Sequence, residues 1–300
     1  MSQDRGSNAQ TDPLLPQELE RDIFETTARA HPGTAAVIAL VARRAQIWSL
    51  LSLLFLPSLK QKSARMDALI YEMITLSDAR LCRRFLFTID SRPPHFFAHK
   101  VKSLCIPGDI RPDHAKRILS VCQGVTNLAY WITSWCPPAP FGLIASTLHP
   151  RQLSFNTYGL FHLTTPPDFT LPFFLRVTHL EVVDWPFIAE SCTFKRLPSL
   201  THLAVDIDQY VHAIALELRR ILRACQHLVV LLCLVRQEST MTDVEEAFRL
   251  VGDDGRRLVI LPDLEPLENW EASLDLTSDD CQWSCAERII EERQRAYYQA

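Results

Sequence analysis

Three histidines occupy equivalent places in a recurring sequence pattern. His179, His202 and His227 each stand directly before a leucine, and 23 and 25 residues separate them. Imidazole titrates near physiological pH and is a common metal ligand, so a histidine column could bind a metal, hold an acidic ligand or respond to pH. The alternative is a surface that is polar only because it faces water.

The histidines continue a longer series of polar residues, each placed before a leucine. In chain order this series is Ser103, Asn127, Gln152, His179, His202 and His227. The next column on the same face, Cys105, Ala129, Ser154, Glu181, Ala204 and Val229, is small, and Trp131, Val183 and Asp206 lie one step further. If the segments stack as strands about 4.8 Å apart, one concave face presents these side chains. The predicted target-binding residues are Asn127, Trp131, Gln152, His179, Glu181, His202, Asp206 and His227.

The leucines that follow these residues recur at nearly constant spacing. They are Leu104, Leu128, Leu153, Leu180, Leu203 and Leu228, with separations of 24, 25, 27, 23 and 25 residues. Each lies in a segment that alternates with the period of a strand, and the spacing is typical of leucine-rich repeats. We therefore expect parallel strands side by side, with the six leucines in one buried row. Residues 256–264 predict a seventh strand.

The segments between the leucines predict the connectors and the end of the array. Residues 112–124 and 211–228 have helical patterns, whereas the proline-containing stretches 165–176 and 187–198 predict loops or distorted turns. Residues 285–298 predict a helix that caps the array. The predicted class is α/β, an irregular leucine-rich-repeat solenoid with one parallel sheet and helices or loops on its other face. A small N-terminal helical module precedes it and a C-terminal helix closes it.

The N-terminal segment has a different pattern. After Pro16, Leu19, Ile23 and Phe24 recur at helical spacing, and acidic residues fill the first turn. A module over residues 14–55 is too small for a stable core of its own, so it should lean on a partner, on the array or on both. The predicted organisation is a disordered leader (1–13), this module (14–55), a helical linker (56–95) and the repeat domain with its cap (96–300).

The stretch LLPQELERDIF, followed by LVARR and a tryptophan, resembles the F-box. The resemblance implies docking on the Skp-type adaptor of a cullin ubiquitin ligase. The residues it assigns to adaptor binding are Leu15, Pro16, Leu19, Ile23, Phe24, Leu40, Val41 and Trp48. The same apolar helical face could instead pack on the first repeat.

An F-box followed by leucine-rich repeats implies a substrate-recruiting subunit of a cullin-RING ubiquitin ligase. Its expected partners are the adaptor and a target protein that the sequence does not identify. The alternative is a leucine-rich-repeat scaffold or interaction protein with no ligase link. Phosphate-binding glycine loops, nucleophile elbows and zinc-protease motifs do not occur, so we expect no enzyme activity, no cofactor and no metal.

Composition restricts the partners further. The net charge is −4, although residues 43–117 carry 14 Lys and Arg against 6 Asp and Glu. Aromatic residues are not interleaved with this basic stretch, so a nucleic-acid partner is not expected. The longest apolar stretch, residues 47–59, is shorter than the roughly twenty residues of a membrane span. Nine cysteines and a polar N-terminus without a signal peptide favour the cytosol or the nucleus.

Overall fold

The computed structural model describes the chain in several ranges. They are Ile23, Thr26 and residues 71–93, 95–132, 147–157, 168–183, 191–207, 211–235, 256–262, 266–274 and 281–299. The chain divides into two compact units, Met1–Met73 and Ile74–Ala300. In the first unit Ile23 and Thr26 are helical and exposed.

The described ranges contain eight strands and six α-helices. The strands are β1 (Met73–Thr75), β2 (Ser103–Ile106), β3 (Asn127–Tyr130), β4 (Gln152–Asn156), β5 (His179–Val183), β6 (His202–Ile207), β7 (Val230–Val235) and β8 (Leu258–Pro262). The α-helices are α1 (Ala79–Ser91), α2 (Phe96–Lys100), α3 (Pro112–Val121), α4 (Val211–Ala224), α5 (Pro266–Ser273) and α6 (Gln282–Gln299). The α/β class is confirmed.

The eight strands form one sheet in chain order, and the neighbours from β2 to β8 pair in parallel. The pairing sets five of the six predicted leucines directly opposite one another: Leu104, Leu128, Leu153, Leu180 and Leu203. All five are buried. The predicted row is therefore confirmed up to β6, and the predicted strand after residue 256 is present as β8.

A repeated hydrogen-bond arrangement fixes this register. The carbonyl oxygen of Lys102 accepts from the backbone N–H groups of Thr126, at 2.8 Å, and Asn127, at 2.9 Å. The carbonyl oxygens of Thr126, Arg151, Thr178 and Thr201 each accept in the same way from two consecutive N–H groups of the next strand. Each strand therefore begins to pair at the equivalent residue of the strand before it.

The sixth predicted position is wrong by three residues. Leu203 pairs with Leu231, not with Leu228, and His202 pairs with Val230. Leu228 is buried, but it lies in the turn after α4, where its N–H donates to the carbonyl oxygen of Cys225. The run from Val230 to Val235 is apolar at every position, so its sequence has no alternation that could set the register.

The leucine side of the sheet packs against the connectors. The proline-containing connectors form short 3₁₀ helices, Pro172–Phe174 and Ser191–Arg196. Between them the ring of Phe169 lies 5.0 Å from that of Phe174 and 5.1 Å from that of Phe194. The helices predicted at 112–124 and 211–228 are present as α3 and α4. After α3, a Cβ on Gly124 would collide with the carbonyl oxygen of Ala98, so this turn requires glycine.

The segment predicted as a helical linker, 56–95, is not uniformly helical in its described part. Residues 73–75 form β1, and Leu76 donates its N–H to the carbonyl oxygen of Cys105 at 3.1 Å. Asp78 then caps α1 by accepting from the N–H groups of Arg80 and Leu81. The boundary between the compact units falls within this segment, so its second half belongs to the sheet unit.

Two further findings concern compartment and membrane. None of the helices in the described ranges is both long and apolar enough to cross a bilayer. None of the seven cysteines in the described ranges forms a disulfide, and six of them are buried. Burial raises the pKa of Cys122 to about 12, which keeps that thiol protonated at neutral pH.

Candidate functional site

The candidate site is the side of the sheet opposite the leucine row, here called the polar face. Its first column runs through Ser103, Asn127, Gln152, His179 and His202, which are paired in register as predicted. Val230 takes the next place in the column. His227 lies in the exposed turn before β7 and does not join the other two histidines.

The second column of the polar face is also confirmed as far as β6. Cys105, Ala129, Ser154, Glu181 and Ala204 pair in register. The next position is Leu232, whereas Val229, predicted there, is 46% exposed. This correction has the same cause as that of His227, because both follow from the three-residue shift of β7.

The polar face was expected to be open to solvent, but it is covered by the chain's own C-terminal helices. Helices α5 and α6 together are here called the C-terminal cover. Trp270 of α5 packs in a cluster with Cys105, Ala129 and Trp131. Trp283 of α6 and its neighbours join a second cluster with strands β6 to β8, comprising Ala204, Val230, Leu232, Leu234, Val259, Cys281, Ala286 and Ile290. Helix α6, predicted to cap the array, therefore packs on the face of its last strands.

Helix α5 is tied to the polar face by hydrogen bonds as well as by Trp270. The side-chain amide of Gln152 donates to Ser273 Oγ at 2.6 Å, and Thr75 Oγ1 donates to Glu271 Oε1 at 3.1 Å. Within the face, Trp131 Nε1 donates to Ser154 Oγ at 2.8 Å. The small residue at position 154 thus fixes the orientation of an indole ring.

Beneath α6 the two predicted histidines form a stacked pair. The rings of His179 and His202 lie 4.2 Å apart and are inclined by only 10°. The ring of Trp283 meets both edge-on, at 5.4 Å and 5.6 Å. His202 Nε2 lies 3.0 Å from Glu287 Oε1, and its Nδ1 lies 2.8 Å from Thr201 Oγ1.

The environment keeps both imidazoles neutral at physiological pH. Burial lowers the pKa of His202 to about 4. Burial, followed by repulsion from His202, lowers the pKa of His179 to about 4, although the carboxylate of Glu287 acts in the opposite direction. A neutral His202 donates its Nε2–H to the carboxylate of Glu287. The pair therefore presents its ring edges to an indole and an N–H group to a carboxylate, both of which are carried by one helix.

The structure brings seven of the eight predicted target-binding residues onto one face. Trp131, Gln152, Glu181 and His202 are buried, Asn127, His179 and Asp206 are half-buried, and His227 is exposed outside the face. The described residues contain no group of three or more side chains that could hold a metal ion. Stacking and hydrogen bonding engage both histidines of the pair.

The predicted adaptor-binding residues are described only at Ile23, which is helical and 52% exposed. The other seven, Leu15, Pro16, Leu19, Phe24, Leu40, Val41 and Trp48, lie outside the described residues.

The residues of the cover were not predicted from the sequence to belong to the site. Trp270, Ser273, Trp283 and Glu287 supply its contacts with the polar face. The available signal was the spacing of Trp283, Ala286 and Ile290, an apolar stripe on an otherwise charged helix. Such a stripe predicts that the helix packs on a surface, but it does not identify the surface.

Comparisons of the chain with protein families, characterised proteins and solved structures found no match.

Proposed function

We propose that the chain is a substrate-recruiting, F-box-type subunit of a cullin-RING ubiquitin ligase. Its N-terminal unit docks on a Skp-type adaptor, and its sheet unit is an irregular leucine-rich-repeat array that holds a target protein. The observation that carries the proposal is the division into compact units at Met73 and Ile74, with all of the F-box-like residues in the first unit.

Ile23 supports the adaptor-docking part of the proposal. It is helical, and about half of its side chain is exposed. Docking of a helix into a partner's groove requires apolar anchors on the surface of that helix. An isoleucine with this exposure in the F-box-like segment is available as such an anchor.

The regularity of the sheet supports the repeat-array part. Successive strands pair in register, each connector returns the chain to the same edge, and equivalent carbonyl oxygens accept the same pair of hydrogen bonds. Repeats that contact chiefly their neighbours form extended recognition surfaces.

The proposed role is recruitment rather than chemistry. Binding adaptor and target to one chain raises the effective concentration of the target at the ligase, and no catalytic residue is needed for that effect. The described cysteines form no disulfide with one another, which supports a reducing compartment, the cytosol or the nucleus.

The test is co-purification of the full chain with a purified Skp-type adaptor. The wild type should capture the adaptor, and the double variant Leu19→Asp, Ile23→Asp should lose at least tenfold in capture, because two charges replace apolar anchors. Phe87→Asp is the matched control, since Phe87 is 76% exposed on α1 of the sheet unit, and it should capture the adaptor like the wild type.

Circular dichroism of each variant establishes that the chain is folded. If the folded wild type fails to capture the adaptor, the proposal is contradicted. The alternative, a scaffold or interaction protein with no ligase link, then remains. A double variant that captures the adaptor normally shows that these two positions are not the docking surface.

A further inference from the structure

The layer between the polar face and the C-terminal cover is unusually rich in buried polar side chains. Ten polar or charged residues are buried in the described ranges. Six of them lie on the polar face, Ser103, Gln152, Ser154, Asn156, Glu181 and His202, and three belong to the cover, Asn269, Ser273 and Gln282. Polar layers of this kind are typical of contacts that form and separate, whereas permanent cores are apolar.

The cover also presents unused hydrogen-bonding capacity to this layer. Among the described residues, the buried Nε1 atoms of Trp270 and Trp283 and the Oε1 atom of Gln282 have no hydrogen-bond partner. Buried polar atoms without partners weaken the association of the surfaces that bury them.

The second part of α6 contacts the sheet unit through Arg293, whose Nη1 donates to the carbonyl oxygen of Leu258, and through Tyr297, whose ring lies under Arg256. The buried contacts of α6 with the polar face lie in its first part. Its buried residues are Gln282, Trp283, Ala286 and Ile290, whereas residues 291–299 are all exposed. A helical segment of nine residues is marginally stable by itself, so its attachment depends on the layer beneath it.

We propose that the C-terminal cover is an internal competitor for the recognition face, and that the target presents an amphipathic helix which replaces α6. The replacing helix carries an aromatic residue, a small residue three positions later, a carboxylate at the fourth position and an aliphatic residue at the seventh. These positions correspond to Trp283, Ala286, Glu287 and Ile290.

Each residue of this motif matches a feature of the polar face. The aromatic ring meets the edges of the stacked His179–His202 pair, and the carboxylate accepts the Nε2–H of His202. The small and aliphatic residues pack against β6, β7 and β8, at positions such as Ala204 and Leu232. The inference rests on the proposed function for the identity of the face as the target site.

The first test is native-state hydrogen exchange on the full chain. If the cover detaches without global unfolding, the amides of residues 285–290 should exchange at least tenfold faster than those of β5 and β6. Equal protection of the cover and these strands contradicts the proposal, because α6 is then a permanent part of the core.

The second test uses a fluorescent synthetic peptide of residues 281–299, added to the full chain and followed by anisotropy. In the wild type the internal cover occupies the polar face and lowers the apparent affinity of the chain for the peptide. Glu287→Ala in the chain removes the contact with His202 and should raise the affinity for the peptide about tenfold. Tyr298→Ala is the control in the same helix, because Tyr298 is 85% exposed, and it should bind the peptide like the wild type.

The peptide with alanine at the position of Glu287 should bind the Glu287→Ala chain about tenfold more weakly than the unaltered peptide. Equal affinities of the wild-type and Glu287→Ala chains for the unaltered peptide contradict the proposal. Neither test involves the adaptor. A failure here therefore leaves the adaptor-docking result standing, and a failure of adaptor capture leaves the competition result standing.

Discussion

His202 connects the sheet to the cover through one carboxylate, and its protonation state is central to that contact. His202, which is buried, and His179, which is half-buried, are both held as neutral rings whose pKa is about 4, below the ordinary value of 6.5. Below pH 6.5 the unfolded chain binds these protons more readily than the folded chain does. The stability contributed by the neutral pair is thus fully present above pH 6.5 and is lost as the pH falls towards 4.

The unfolding free energy of the double variant His179→Phe, His202→Phe should therefore depend less on pH than that of the wild type. Relative to this variant, the wild type should lose on the order of 2 kcal/mol of unfolding free energy per histidine between pH 7 and pH 4.5. Urea denaturation at several pH values measures the difference. His227→Phe is the control, because His227 is exposed, and it should keep the wild-type slope. Parallel pH profiles for the wild type and the double variant would show that the pair is not buried as neutral rings.

Arg257 hydrogen-bonds to three carbonyl oxygens at the end of α4 and in the turn that follows it. Its Nη1 donates to the carbonyl oxygens of Cys225 and Leu228 at 3.0 Å, and its Nη2 donates to that of Leu222 at 2.6 Å. A planar guanidinium can reach three carbonyl groups in this geometry, whereas an ammonium group cannot reproduce its fork.

Arg257→Met should lower the unfolding free energy by about 2 kcal/mol, since hydrogen bonds to a charged group are lost. Arg257→Lys should restore less than half of the loss. Arg256→Met is the neighbouring control. It removes a cation–π contact with Tyr297 and should cost no more than about 1 kcal/mol. Equal effects at 256 and 257, measured by urea denaturation, contradict the assigned role.

At the scale of elements, substitutions in and before β7 test which residue of this segment pairs with Leu203. Leu231 is fully buried opposite Leu203, while Val229 is 46% exposed just before the strand. Leu231→Ala should cost about 2 to 5 kcal/mol of unfolding free energy because it opens a cavity in the leucine row. Val229→Lys should change it by less than about 0.5 kcal/mol. A large loss at Val229 would indicate the register with Leu228 in the row.

The same elements explain what the sequence could and could not predict. In strands such as 127–130 and 152–156 the alternation of residues indicates which side chains lie on each side of the sheet. The leucine row and the columns of the polar face were therefore predictable up to β6. In β7 every residue is apolar, and the pattern fixes no register. The partners Gln152 and Ser273 are 121 residues apart, and no local periodicity predicts so distant a contact.

At the scale of the whole molecule, the two sides of the sheet differ in chemical character. One side carries the buried leucine row, and the polar face packs against the C-terminal cover. Cysteines lie on both sides of the sheet. Cys105 lies under Trp270, whereas Cys122 follows α3 and Cys233 lies within β7 on the side of the leucines.

Thiol labelling of the native chain should follow this division. Cys285, which is only partly buried, should react first, and Cys105 and Cys281 should follow at a rate that Glu287→Ala increases several-fold. Cys122 and Cys233 should react only on global unfolding, since burial raises the pKa of both thiols and removes them from the reagent. Mass spectrometry of labelled peptides measures each rate. Labelling of Cys105 and Cys233 at one common rate contradicts separate opening of the cover.

The contacts of Gln152 with Ser273 and of His202 with Glu287 join two segments that are inherited together on one polypeptide. A substitution of one residue of a pair removes the hydrogen-bond partner of the other residue, and a compensating substitution of that other residue then becomes advantageous. Descendants of this chain are therefore expected to keep or exchange these residues in pairs, so that positions 152 and 273, like 202 and 287, vary in concert.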